Sequence, residues 1–219
     1  MFCSQIISPE VPILSPTDTV GKVLSQMEHS RLSQLPVCDH ERFMGSVSED
    51  ELLDESEGTL ISSLHERFML HAVKVADHFL LAARLMHQLD MDIVPVLNEN
   101  NEYEGAITRR HLFHELARKT GSEEYGSIVV LEMSNQDYSV GELNRLVESN
   151  DAIITQLNTW SDPATHLISV IIRINKTEVS DIVATFQRHE FTVLYYLGEE
   201  LYRNELQNNL ENLMNYLNL

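Results

Sequence analysis

Two arginines and two hydroxyl residues are the side chains of this sequence whose types and spacing best suit ligand chemistry. Arg109 and Arg110 directly follow Thr108 at an expected helix start, where backbone amides and guanidinium groups both favour a phosphate. Ser48 holds the matching place sixty residues earlier. Both hydroxyls also suit a simpler role, capping the free amides of a helix start without any ligand. An anion site and plain helix caps therefore both stay open at this stage.

A second candidate chemistry is metal binding by histidine. His111 and His114, followed by Glu115, lie three residues apart on one expected helix. A single histidine pair is typical of an exposed helix face, and no second cluster in the sequence completes a coordination shell, so we assign no metal ligand. Since the sequence also lacks a nucleophile with a partner base and a Gly-Lys phosphate loop, we assign no catalytic residue and expect no enzyme.

The elements that would position these side chains occur twice in the chain. Apolar residues at helical spacing in the segment 20–27 are matched by residues 79–86, fifty-nine positions later. Each helix is followed by a short apolar strand, a polar turn and a second strand that begins near glycine, and a further helix is expected after each hairpin. This internal repeat predicts one packing unit used twice, in residues 1–58 and 59–120.

A different pattern begins after a linker of small and charged residues. Between residues 126 and 197, the periodicity predicts the order strand, helix, strand, strand, helix, strand, and a capping box at Ser139–Glu142 opens the first helix. That order in so short a segment is typical of a ferredoxin-like βαββαβ domain. Together with the two repeats, it predicts a mixed α+β protein.

The last segment, residues 198–219, is expected to form a helix. Leu206, Leu210, Leu213 and Leu217 make an apolar stripe with spacings of four, three and four residues. Such a stripe must pack on something, and two partners stay open: the sheet of the preceding domain and a second subunit.

The chain carries a strong negative charge. Acidic residues outnumber basic ones 34 to 15, and the formal net charge of −19 repels nucleic acid and anionic lipid. No stretch is apolar over the length that a bilayer requires, and no basic segment precedes an apolar core at the start of the sequence. We therefore expect a soluble, cytoplasmic protein that binds neither nucleic acid nor membrane.

Both repeats resemble cystathionine-beta-synthase (CBS) domains, a tandem pair of which is often called a Bateman module. The resemblance lies in the Pro-Val strands at Pro36 and Pro95, in the steps from glycine to Ser48 and Thr108, and in the offset between the copies. It implies two clefts between packed sheets, which bind adenine nucleotides in many members. The resemblance thus suggests AMP, ADP or ATP as a ligand and no required cofactor.

The same resemblance implies a role for each site residue. In the family, an Asp three residues after the Ser or Thr accepts hydrogen bonds from ribose, whereas here Glu51 and His111 hold those places. Apolar strand residues would flank the adenine, and the paired arginines would meet the phosphate. The implied nucleotide-binding residues are Leu35, Pro36, Ser48, Glu51, Val94, Pro95, Thr108, Arg109, Arg110 and His111.

The domain at 126–197 resembles an ACT domain, a module that often binds amino acids at subunit interfaces. The glycine that this family frequently has between its first strand and helix is missing. Asp137, in that turn, could still pair with an amino group, although an Asp before a helix also supports the helix end electrostatically.

Two CBS repeats followed by an ACT-like domain resemble the acetoin-utilisation type of regulatory protein. The resemblance implies a non-enzymatic sensor that binds an adenine nucleotide in the CBS pair and works as a homodimer, because both module types commonly pair. An amino-acid sensor that uses the ACT-like domain and a ligand-free scaffold are the two alternatives.

Overall fold

A computed structural model describes residues 1–121 and 126–198 of the chain. The chain divides into two units, Met1–Lys119 and Thr120–Leu219. Helices and strands occur in both units, which confirms the mixed α+β class. Within the described residues, none of the helices has both the length and the apolar character needed to cross a membrane.

The first repeat is a helix followed by an antiparallel hairpin. Helix α1 (Val20–Ser30) precedes strands β1 (Gln34–Asp39) and β2 (Arg42–Ser48), which pair with each other. The apolar stripe predicted from helical spacing faces the core of this repeat, as an amphipathic helix requires. Buried in that core are Leu14, Val20, Val23, Met27, Leu35, Val37, Val47, Leu52 and Ile61.

The second repeat has the same plan with two additions, a short parallel strand before the helix and a long helix after the hairpin. β3 pairs parallel with β4, and β4 pairs antiparallel with β5. Its elements are β3 (Val73–Lys74), α2 (Phe79–Leu89), β4 (Ile93–Leu97), β5 (Tyr103–Thr108) and α3 (Arg109–Lys119).

The helix expected after the first hairpin was a wrong prediction. After Ser48, residues 50–54 form successive turns. The Glu51 carboxylate accepts hydrogen bonds from the amide and the hydroxyl of Ser48, each at 2.9 Å. The matching residue of the second repeat, Thr108, instead caps α3 by accepting a hydrogen bond of 3.1 Å from the amide of His111.

The segment that precedes each repeat packs on the other repeat. A 3-10 helix, Cys3–Ile6, lies on the second repeat, and the amide of Ser8 donates to the carbonyl of Ala106 at 2.8 Å. In the same way, Met69 exchanges two backbone hydrogen bonds of 2.8 Å with Ser46 of the first repeat. The two repeats therefore form one interlocked unit.

Two glycines make this close approach of segment and hairpin feasible. Gly45 and Gly105, at matching places in β2 and β5, have φ angles of +139° and +149°, which favour glycine. A Cβ atom on Gly105 would lie 2.4 Å from Cγ2 of Ile7, and one on Gly45 would lie 2.6 Å from Cβ of Phe68. A side chain at either position would push the segment away.

The C-terminal unit is a four-stranded antiparallel sheet with two helices. The strand order across the sheet is β7-β8-β6-β9, so the ferredoxin-like order of elements predicted from the sequence is confirmed. Alternate strand residues and the apolar sides of both helices share one core, which places the helices on the same face. The elements are β6 (Ser127–Ser134), α4 (Val140–Glu148), β7 (Ile154–Ser161), β8 (Leu167–Ile174), α5 (Ser180–Arg188) and β9 (Thr192–Leu197).

The helix predicted for residues 198–219 lies outside the described residues, apart from Gly198.

Candidate functional site

The apolar residues proposed to flank an adenine are all buried. Leu35 and Val94 are fully buried in the separate cores of the two repeats, and Pro36 and Pro95 beside them are buried as well. Their strands are covered on both faces, so these positions contribute to the cores. None of the four lines the inter-repeat cleft described below.

The predicted hydroxyl residues have different local roles in the two repeats. Thr108 caps α3, because its Oγ1 accepts a hydrogen bond of 3.1 Å from the amide of His111. Ser48 instead donates to Glu51, in the turn that replaces the expected helix. The Glu51 carboxylate, proposed for ribose, thus already accepts two hydrogen bonds from one neighbour.

Thr108 is also held by the N-terminal segment. The Oγ of Ser8 lies 3.0 Å from the Thr108 hydroxyl and accepts a hydrogen bond of 2.9 Å from the Thr108 amide. Ser8 is 100 positions away in sequence, and no local pattern predicts this contact. The start of α3 is therefore positioned by a residue from the opposite end of the unit.

Arg109 is already paired with acidic residues of the second repeat. Its guanidinium group lies 2.9 Å from Asp90 and 3.4 Å from Asp92, and it donates to the carbonyl of Met91 at 3.0 Å. The Arg109 side chain is nevertheless 51% exposed, so it stays accessible to a ligand. Its neighbour Arg110 is exposed as well.

A cleft of about 180 Å³ lies between the two repeats. It brings together Ser48 and Arg109 of the predicted set; Glu51, Thr108, Arg110 and His111 do not line it. Four carboxylates and one guanidinium group face the cleft, so its charge is mainly negative. The lining residues are Ser33, Gln34, Ser48, Glu49, Asp50, Asp90, Asp92 and Arg109.

Contacts across the cleft join matching positions of the repeats. The Ser33 hydroxyl donates to the Asp92 carboxylate, and the Asp92 amide donates to Gln34 Oε1 at 3.0 Å. Ser33 and Asp92 are fifty-nine positions apart, the offset of the repeat itself. Ser33 and Asp92 were not predicted from the sequence, although their matching places just before β1 and β4 were a usable signal.

A second, mainly apolar groove of about 330 Å³ lies between α2 and α3. Asp90 and Arg109 line this groove as well as the cleft, so their ion pair borders both spaces. The remaining lining residues are Ala83, Met86, His87, Leu112, Phe113 and Leu116.

In the C-terminal unit, Asp137 lines a polar pocket of about 740 Å³. Its carboxylate accepts a hydrogen bond of 2.7 Å from the Ser134 hydroxyl. Glu132, Glu142 and Glu190 line the same pocket, which therefore favours a positively charged group.

The histidine pair and the cysteines show ordinary structural surroundings. Glu115, next to the histidines on α3, pairs with Arg118 at 2.6 Å. Among residues 1–121 and 126–198, no group of three or more histidine, cysteine or acidic side chains is suited to a metal ion. Both thiols are buried, and burial raises the pKa of Cys3 and of Cys38 to about 11.

Comparison with known families gives two matches along the chain. The model of the CBS domain matches residues 3–58 and residues 71–118. A comparison with curated protein sequences finds no match.

Several solved structures are similar to this chain. A CBS domain pair/ACT domain protein from Thermotoga maritima is 20% identical, with a TM-score of 0.49, over 54% of this chain and 98% of that chain. The CBS domains of a transcriptional regulator from Streptococcus pneumoniae are 26% identical, with a TM-score of 0.47, over 52% of this chain and 98% of that chain. A CBS domain protein from Pyrobaculum aerophilum complexed with AMP is 20% identical, with a TM-score of 0.45, over 54% of this chain and 99% of that chain.

Proposed function

Since residues 3–58 and 71–118 form a pair of CBS domains, we propose that the chain is a non-enzymatic regulatory protein that binds an adenine nucleotide between its repeats. The observation that carries this proposal is the position of Arg109. Arg109 is the first residue of α3, and it lines the cleft between the two repeats. A phosphate placed there would meet the guanidinium group of Arg109.

The acidic surroundings of Arg109 make binding an exchange of partners. A phosphate would take the place of Asp90 and Asp92, whose carboxylates would then turn to solvent. The other two acids of the cleft, Glu49 and Asp50, would repel each further negative charge on the ligand. We therefore propose AMP, with one phosphate, as a better ligand than ADP or ATP.

Isothermal titration of the purified full chain with AMP, ADP and ATP tests this site. Loss of a charge-assisted hydrogen bond costs about 1.5–3 kcal/mol, so Arg109→Ala should weaken AMP binding about tenfold to a hundredfold. Arg110→Ala is the matched control, because this arginine is the next residue of α3, is exposed and does not line the cleft. We expect it to change affinity much less.

A variant with the opposite expected effect completes the test. Asp90→Asn removes one negative charge and one partner of Arg109, and asparagine tolerates the left-handed backbone of this position, with φ at 49°. AMP should bind more tightly to this variant. If titration with the nucleotides releases no heat and the nucleotides leave the melting temperature unchanged, the nucleotide site is rejected and a scaffold without a ligand is favoured.

Nucleotide binding can regulate only if the ligand prefers one of two conformations of the chain. We propose that the ACT-like unit and a homodimer interface in the cytoplasm carry that change to a partner protein. Sedimentation velocity with and without AMP would measure the change in assembly.

The pocket at Asp137 supports a second candidate, an amino-acid sensor. Its carboxylates suit an amino group, and the hydroxyl of Ser139, which accepts from the Glu142 amide, can still donate to a carboxylate. Titration with amino acids distinguishes the two candidates, because Asp137→Asn should abolish amino-acid binding and leave AMP binding unchanged.

A further inference from the structure

A buried serine hydroxyl lies one step along the strands from the cleft. In the ladder of β1 and β2, Gln34 pairs with Ser48. Two positions further along each strand, Pro36 pairs with Ser46. Residues two apart on a strand point to the same face, so Ser46 shares the face of Gln34 and Ser48, which both line the cleft. Ser46 is fully buried, and no described residue of the chain offers its Oγ a hydrogen-bond partner.

The second repeat shows that the fold does not need this hydroxyl. Ala106 holds the matching place in β5, sixty positions later. The backbones of both positions bond the segment that precedes the other repeat, through Ser8 at Ala106 and through Met69 at Ser46. A buried hydroxyl without a partner destabilises a folded protein, and alanine meets the same packing requirement without that cost. The hydroxyl of Ser46 therefore points to a partner that binds from solution.

The cleft is too small to enclose the proposed ligand. Sites for molecules of this size have volumes of about 300–1,000 Å³. The cleft has about 180 Å³, and the proposed phosphate position at Arg109 lies within it. The base of an enclosed nucleotide must therefore reach beyond the present lining of the cleft.

The side chain of Met69 lies between Ser46 and this lining. The two residues exchange backbone hydrogen bonds of 2.8 Å in both directions, so they lie opposite each other and their side chains share one face. The Met69 Sδ accepts a hydrogen bond of 3.8 Å from Nε2 of Gln34, which lines the cleft. Methionine is unbranched and adapts its shape easily. Movement of this one side chain would join Ser46 to the cleft.

On the basis of the proposed nucleotide site, we propose that Ser46 binds the base of the nucleotide. With the phosphate at Arg109, Met69 moves aside and the Ser46 hydroxyl forms a hydrogen bond with the polar edge of the adenine. A hydroxyl both donates and accepts, which suits an edge that carries an amino group and ring nitrogen acceptors. Pro36, the ladder partner of Ser46, would then contact the base.

Isothermal titration of the full-length Ser46→Ala variant with AMP tests this role. We expect the affinity for AMP to fall about tenfold, because the adenine loses its hydrogen-bond partner. The melting temperature without ligand should stay the same or rise, because alanine removes an unpaired buried hydroxyl. Ser127→Ala is the matched control and should leave AMP binding unchanged. The Ser127 Oγ is likewise buried without a partner among the described residues, but it lies in the C-terminal unit.

The outcomes separate the role of Ser46 from the nucleotide site itself. AMP binding that Ser46→Ala leaves unchanged would overturn the role of Ser46 while the site stands. A lower melting temperature together with weaker binding would also overturn it, because the hydroxyl would then support the fold. If the unmodified chain does not bind AMP, the nucleotide site and the role of Ser46 are both rejected.

Met69→Ala tests the movement that the proposal requires. This variant lacks the side chain that must move, so a larger fraction of the protein is ready to bind. AMP should associate with it several-fold faster than with the unmodified chain, measured by surface plasmon resonance. An association rate that does not increase would overturn the proposed movement of Met69.

Discussion

Replacement of Gly105 by alanine tests how firmly the N-terminal segment is held on the second repeat. The φ angle of +149° at this position is strained for any residue with a Cβ atom, at a cost of about 1–3 kcal/mol. The new methyl group would also lie 2.4 Å from Cγ2 of Ile7, and overpacking of this kind costs about 1–3 kcal/mol. Because Ile7 can move partly aside, we expect a total loss of about 3 kcal/mol.

The loss should appear as a fall of about 10 °C in the melting temperature of the N-terminal unit, measured by scanning calorimetry on the full chain. Gly58→Ala is the matched control, because nothing lies within 4 Å of a Cβ at that position.

Equal stability of the two alanine variants would refute the reasoning, since it would mean that Ile7 does not lie against Gly105. Gly45→Ala, at the matching place in the first repeat, gives an independent check. Its Cβ would lie 2.6 Å from Cβ of Phe68, so a loss of similar size is expected.

Two further predictions concern polar contacts of the same unit. Ser8→Ala removes the acceptor of the Thr108 amide, and we expect a loss of about 1–2 kcal/mol in the free energy of unfolding, measured by urea titration with far-UV detection. Burial opposes ionisation of Asp18, but the hydrogen bonds from Lys22 and the Ser15 amide together with the Lys22 charge outweigh it, and the Asp18 pKa is lowered from 3.8. The ionised Asp18 therefore stabilises the folded state above pH 3.8, and this stabilisation is lost as the pH falls through the lower pKa of the folded state. We expect Asp18→Asn to lower the free energy of unfolding at neutral pH, and we expect its difference from the unmodified protein to shrink in acid. A difference that does not change with pH would contradict the role of this ion pair.

The internal repeat made much of the N-terminal unit predictable. Apolar spacing located α1 and α2, and the Pro-Val strands located both hairpins, because burial on one side of a helix or strand leaves a periodic record in sequence. The prediction of a helix failed after Ser48, where the residues form turns and Glu51 accepts hydrogen bonds from the Ser48 amide and hydroxyl, although the copy around Thr108 forms a helix. Similarity between repeats predicts the common plan, and it does not predict where the two copies differ.

The candidate site was less predictable than the fold. Arg109 and Ser48 were identified from position alone, and both line the cleft. Asp90 and Asp92, which pair with Arg109 and make the cleft acidic, were not identified, because an ion pair between a helix start and a preceding loop leaves no periodic pattern.

Sequence alone therefore determined most elements of this protein, the duplication of one packing unit and the apolar side of each helix, since these depend on residues close together in the chain. Tertiary structure decided the contacts between distant segments. The placement of Ser8 on Thr108, the close passage of Ile7 over Gly105 and the acidic cleft at Arg109 are all of this kind. The physical reason is that periodicity records which side of an element must be buried, whereas the partner that buries it is chosen by packing across the whole unit.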